Sequence, residues 1–197
     1  MKKMKIYIVL TDTGSLLTKA IKLYTKQPYN HVSISFNKDL TEIYSFGRKV
    51  PNNPFIGGFV KENMNAKIFK YAGCAIYSIN VTKEQYSRMQ ARVREIETEK
   101  DAYRYNFIGL LAVAAHVDLE REYAYFCSQF VATILQAGGI QVCQKPIYFT
   151  SPSDIQMYSE LQLEYEGALR VYLNPKAKAV HEERTLRGRV KELLTFN

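Results

Sequence analysis

The chain has 197 residues and a formal net charge of +8 at pH 7, and 47% of its residues are hydrophobic. That length suits one domain with a real hydrophobic core, and the apolar content excludes a disordered chain. Much of the excess charge falls on Lys176, Lys178, Arg184, Arg187, Arg189 and Lys191, so a solvated tail explains it about as well as a polyanionic partner.

Lys2, Lys3 and Lys5 precede an apolar stretch, but residues 6–10 are too short for a secretory h-region, and no stretch of the sequence reads as a membrane span. The run KIYIVL instead predicts a β-strand ending in the turn residues Thr11-Asp12-Thr13-Gly14. From Ser15, an N-cap candidate, Leu16, Leu17, Ala20, Ile21 and Tyr24 recur at helical spacing until Pro28 stops the helix. In HVSISF, Val32, Ile34 and Phe36 alternate with Ser33 and Ser35, and the turn Asn37-Lys38-Asp39 leads to a second alternating run, EIYSFG. This pattern predicts a β-hairpin beginning at His31.

VPNNPFIGGFV is punctuated by Pro51, Pro54, Gly57 and Gly58, which predicts a loop or irregular edge over the hairpin. Gly57-Gly58 reads first as a tight loop needing positive φ and second as a place where backbone could approach a substrate. AKIFKY and CAIYSINV predict a further strand pair. Thr82 with Gln85 forms a capping-box pattern ahead of a charged helix that carries Tyr86, Met89, Val93 and Ile96 on one face. The apolar FIGLLAVAA predicts a buried helix over residues 106–116, and a second runs from Cys127 to Ala137, stopping at Gly138-Gly139. Ser151-Pro152-Ser153-Asp154 looks like the cap of a short helix, and LEYEGALRVYL reads as a last strand before Pro175.

The cysteines, Cys74, Cys127 and Cys143, are odd in number and lack metal-ligand spacing, so no metal or other cofactor is expected. Free thiols fit a reducing, cytoplasmic setting. Cys127 sits where the aromatic-rich YAYF turns into an apolar helix. A helix N-terminus favours thiolate and offers N–H groups to a developing oxyanion, whereas the plainer alternative is a small buried hydrophobe. His31, at a strand start, is a rigid platform for a general base, while His116 at a helix end and His181 in the tail have bland explanations. A third group should orient the imidazole. The partner strand offers Glu42, Tyr44 and Ser45, with Tyr44 and Glu42 on one face and Ser45 on the other.

The segments YNHVSISF and YFCSQFVATIL, in that order, resemble the circularly permuted branch of the NlpC-type papain-like superfamily, which includes YiiX-like proteins and lecithin retinol acyltransferase-like enzymes. In the permuted branch the sheet and its His come first and the Cys-bearing helix comes late. Tyr105-Asn106-Phe107-Ile108-Gly109-Leu110-Leu111 resembles the helix before the nucleophile, and Ser151-Pro152-Ser153-Asp154 the turn after it. The resemblance covers about residues 5–173. It implies an α+β, papain-like fold, an antiparallel sheet with packed helices, over residues 1–175, with a basic tail over residues 176–197. It implies a Cys127–His31 thiol mechanism through a thioester. Many relatives carry a carboxylate or second imidazole on the strand after the His, and Ser45 stands there in this chain.

The leading expectation is a cysteine hydrolase, an amidase or peptidase, acting on small peptide, amide or cell-wall-derived acyl substrates. Two alternatives stand beside it: a lipid or ester acyltransferase, which needs an apolar groove, and a non-catalytic binding module. Specific nucleic-acid recognition is not expected, because residues 176–191 lack interleaved aromatics, although the tail could touch an anionic surface weakly. Oligomeric state is not legible. Leu186, Val190, Leu193 and Leu194 give the tail only a thin apolar stripe, which predicts a solvated or loosely packed helix. A chain truncated after Pro175 is therefore expected to unfold in urea as cooperatively as the full chain; a broadened transition would contradict this.

Overall fold

Residues 3–13, 27–50, 53–101, 104–105 and 124–174 are described by the computed structural model of the chain. Strand β1 (Met4–Asp12) is buried on both faces, which is why it reads as a continuous apolar run and not as an alternation. Ile6, Ile8 and Leu10 join one core, and Tyr7 and Val9 join another. With β2 (His31–Ser35), β3 (Ile43–Val50), β4 (Asn53–Lys61), β5 (Gly73–Val81) and β8 (Gln162–Ala168), it forms a six-stranded sheet in the order β4-β3-β2-β1-β5-β8. All its pairings are antiparallel. The short strands β6 (Arg104–Tyr105) and β7 (Ala124–Tyr125) pair in parallel. The architecture is α+β.

The hairpin expected from His31 is present, with β2 and β3 in the register Ile34↔Tyr44 and Ser35↔Ile43. Its turn is organised by Asn37, whose Oδ1 accepts the N–H groups of Thr41 and Glu42. Leu40 adopts a positive φ of 55° there and buries its side chain in the smaller core.

Helix α1 (Lys83–Thr98) starts at the capping box expected from Thr82 and Gln85 and buries Met89, Val93 and Ile96. Helix α2 (Cys127–Ala137) is buried through most of its length, and Phe130, Val131, Ile134 and Leu135 pack on the face of the sheet that carries Val32, Ile34, Phe46 and Phe59. A Cβ on Gly138, just past α2, would lie 2.1 Å from Met89 Cε, so this glycine lets the two helices meet closely. Gly139 follows with φ +80°, which ends the helix. Helix α3 (Pro152–Gln156) carries the Ser151 cap, with its own capping box to Asp154.

Three expectations need correction. Of the two readings of VPNNPFIGGFV, the irregular edge holds and the loop does not: NPFIGGFVK is a strand at the sheet edge, where a proline is tolerated, and its ladder with β3 shifts register between Arg48 and Val50. Gly57 and Gly58 are paired in its ladder with Arg48 and Gly47. AKIFKY forms a 3-10 turn at Lys67–Phe69 that inserts Phe69 into the smaller core, so β5 pairs with β1 and β8 instead. LEYEGALRVYL is strand only to Ala168, after which α4 (Leu169–Tyr172) buries Leu169 and Tyr172, three residues apart, on one side. The helices expected over residues 15–24 and 106–116, and the tail over residues 176–197, lie outside the described residues. Among the described residues, no helix is long and apolar enough to cross a membrane.

Phe130 has no solvent exposure and sits with its ring centroid 5.3 Å from that of Phe46 and 5.9 Å from that of Phe59. Phe130→Ala is expected to destabilise the fold by about 3–5 kcal/mol in urea unfolding; a loss under about 1 kcal/mol would show that α2 is not part of the main core.

Candidate active site

Continuing the β2–β3 register sets Ser33 opposite Ser45 and His31 opposite Gly47, away from the Val32 and Phe46 positions. A Cβ at Gly47 would be 3.5 Å from His31 Cε1, so the imidazole lies over this glycine. Glu62 follows β4, and its backbone N–H donates to the Ile43 carbonyl at 2.9 Å. That bond starts the Glu62 side chain beside β3, from where it reaches toward Ser45 and the ring.

Glu62 Oε1 lies 2.6 Å from His31 Nε2 and accepts the Ser45 hydroxyl at 2.5 Å, while Oε2 accepts the Ser33 hydroxyl at 2.8 Å. The side chain of Glu62 is 6% exposed and that of His31 is 17% exposed. Ser33 and Ser45 are fully buried. These short bonds to a charged acceptor are of the strong class.

Burial alone would push the His31 pKa down, but the Glu62 charge, the nearby Cys127 and the hydrogen bond to Glu62 outweigh it and hold the imidazole well above its ordinary value. For Glu62, burial works to raise the pKa, and the His31 charge with the His31, Ser45 and Ser33 hydrogen bonds reverses that, holding the carboxyl below its ordinary value. The pair is therefore an imidazolium and a carboxylate at neutral pH.

Cys127 is the first residue of α2, 7% exposed, and lies close enough to His31 for its side chain to favour the charged ring. The first helical bond of α2 runs from the Phe130 N–H to the Phe126 carbonyl, so the N–H groups of Cys127 and Ser128 precede the ladder. The helix start is fixed by the Ser128 hydroxyl, which donates to the Thr150 carbonyl at 2.6 Å.

Of the residues expected from sequence, the fold brings together Cys127, His31 and Ser45, and Ser45 meets the carboxylate instead of the ring. Glu42 and Tyr44 do not reach His31. Glu42 is exposed in the turn, where its charge lies near Tyr86. Tyr44 is on the opposite face of β3, its ring 5.8 Å from Phe59 and 6.1 Å from Phe36. The residue that partners His31 is Glu62, which sequence reasoning missed because the segment before it reads as a loop. The available signal was the pairing of PFIGGFVK with EIYSFG, which carries the next residue to the side of Ile43.

Cys74 is buried within β5, and burial followed by the nearby Glu166 charge pushes its thiol up to about 12. Cys143 is half-buried, with Sγ 3.6 Å from Thr150 Oγ1. Neither begins a helix. His116 and His181 lie outside the described residues. Among the described residues, no group of three or more His, Cys, Asp or Glu could hold a metal ion.

Glu62→Gln removes the counter-charge and leaves the burial, so the His31 ring is expected to titrate at or below its ordinary value of 6.5 in an NMR titration. An unchanged midpoint would mean that Glu62 does not govern the ring. The sign for stability follows from both shifts. His31, raised on folding, stabilises most below 6.5 and loses that contribution as pH rises; Glu62, lowered on folding, stabilises most above 4.5 and loses it as pH falls. The stability gap between wild type and Glu62→Gln should thus peak between those two values and narrow on either side. No family model, curated protein or solved structure matches this chain.

Proposed function

We propose that the chain is a cysteine hydrolase of the permuted papain-like type, with Cys127 as nucleophile, His31 as its acid–base partner and Glu62 as the group that orients and charges the imidazole. The observation that carries this reading is one ring with two partners: a buried carboxylate at 2.6 Å on Nε2, and a cysteine at a helix start whose side chain helps to hold the ring charged. The sheet-first, Cys-helix-late order and the antiparallel sheet against which α2 packs support the permuted form.

The imidazolium favours the ionised thiol, so Cys127 and His31 rest as a thiolate and an imidazolium. Sγ attacks the carbonyl carbon of an amide, and the N–H groups of Cys127 and Ser128 receive the oxyanion. Collapse of the tetrahedral adduct breaks the C–N bond while the imidazolium protonates the leaving amine, which leaves a thioester on Cys127 and a neutral ring. Water then attacks the thioester carbonyl as His31 takes its proton; the acid is released, and thiolate and imidazolium are restored. A reducing compartment such as the cytoplasm suits a mechanism that begins with a free thiol.

At about pH 6, a limiting dose of iodoacetamide is expected to alkylate Cys127 before Cys74 and Cys143, as read by peptide mass mapping. His31→Ala should slow this labelling and lower turnover of a short acyl amide by about 10²–10⁴-fold. Equal labelling of all three cysteines in the folded protein would sink the hydrolase reading and favour a binding module. Comparing amide with ester donors, and water with an added amine as acceptor, would separate hydrolysis from acyl transfer.

A further inference from the structure

Glu62 is held by more donors than the imidazole supplies. His31 Nε2 and the Ser45 hydroxyl converge on Oε1 at 2.6 and 2.5 Å, and the Ser33 hydroxyl takes Oε2 at 2.8 Å. The two serines lie on the neighbouring strands β2 and β3, and both are fully buried. A buried hydroxyl adds nothing to apolar packing that an alanine would lack, and it must find a partner. Here each finds a different oxygen of one carboxylate. With both oxygens tied, rotation of the carboxylate away from the ring would break a hydroxyl bond as well as the ion pair. Both hydroxyls also favour the ionised carboxylate over the acid.

We propose that Ser33 and Ser45 are positioning residues, a two-hydroxyl clamp that keeps Glu62 ionised and aimed at His31, and that through it they set how far into acid the Cys127 thiol stays reactive. The charged and titratable groups facing this cluster among the described residues are His31 on β2, Glu62 after β4 and Cys127 on α2. Without the hydroxyls, the carboxylate is held by the ring alone and takes up a proton more readily, and the imidazolium loses part of its counter-charge. The first readout below stands without any catalytic reading; only the second rests on Cys127 and His31 as the reactive pair.

The test is an NMR titration of the His31 ring in the full chain, comparing wild type with Ser33→Ala, Ser45→Ala and the double variant, with the resonance assigned through His31→Ala. The midpoint is expected to fall by at least about one pH unit in the double variant and by less in each single variant. An unchanged midpoint in a folded double variant overturns the proposal. If the double variant does not fold, Ser45→Ala alone decides, since a folded single variant without a downward shift overturns it equally. The second readout is the pH profile of Cys127 alkylation. The double variant should be at least about tenfold slower than wild type near pH 6 and equal to it above the ordinary thiol range, where thiolate no longer needs the imidazolium. A uniform slowing at every pH would indicate a disturbed fold and would also overturn the clamp. If wild-type Cys127 is itself no more reactive than Cys143, the hydrolase reading fails, while the His31 titration still decides the clamp.

Discussion

A carboxylate taken out of water stays ionised only if donors and an opposite charge replace its hydration. Glu62 meets that condition with one imidazolium and two hydroxyls, and these come from β2 and β3 while the acid itself follows β4. A slip of one residue in either pairing would turn Ser33 or Ser45 to the opposite face and leave a buried charge short of donors. The ion pair and the sheet register thus support each other: the ladder assembles the cluster, and the cluster penalises any other ladder. Removing one member of such a buried pair typically costs about 3–5 kcal/mol, which ties the chemistry of this corner to the stability of the fold.

The second requirement is a fixed thiol. Helix α2 is held at both ends by contacts with different origins. At its start, the Ser128 hydroxyl is bonded to the Thr150 carbonyl, and at its end Gly138 admits Met89 of α1 at close range. Between them, Phe130 and Ile134 are packed without exposure against the sheet. Sliding the helix to move Cys127 relative to His31 would have to disturb one of these anchors. Cys127 belongs to the main core, while the alternate positions of the central strands carry the buried Ser33 and Ser45.

Both cores depend on β1. Its neighbours are β2, which carries His31, and β5, which leads out to the β8 edge. Thr11 pairs with His31 on one side and Cys74 on the other, so the backbone that carries the imidazole is set by a central strand of the sheet. The smaller core closes the other face with Leu40, Met64, Phe69, Leu169 and Tyr172, from the hairpin turn, the segment after β4 and the chain after β8. Glu62 lies two residues before Met64, so the apolar anchor of that segment also steadies the acid.

What the sequence determined by itself is local. Alternation placed the β2–β3 hairpin and its start at His31; a capping box placed α1; and the change from aromatic run to apolar helical period placed Cys127 at a helix start. Each of these signals spans a few residues and needs no partner to be read. Glu62 has no such signal. It is a charged residue after a proline- and glycine-rich segment, and only the pairing of that segment as an edge strand brings it to the hairpin. Parity correctly separated Ser45 from Tyr44, but nothing within HVSISF tells whether the face of its serines is covered. In the fold that face is buried, and Ser33 and Ser45 answer a carboxylate that arrives from 17 residues or more along the chain. Burial and long-range pairing are properties of the whole sheet, so the orienting acid and the serines that hold it were decided by tertiary structure alone.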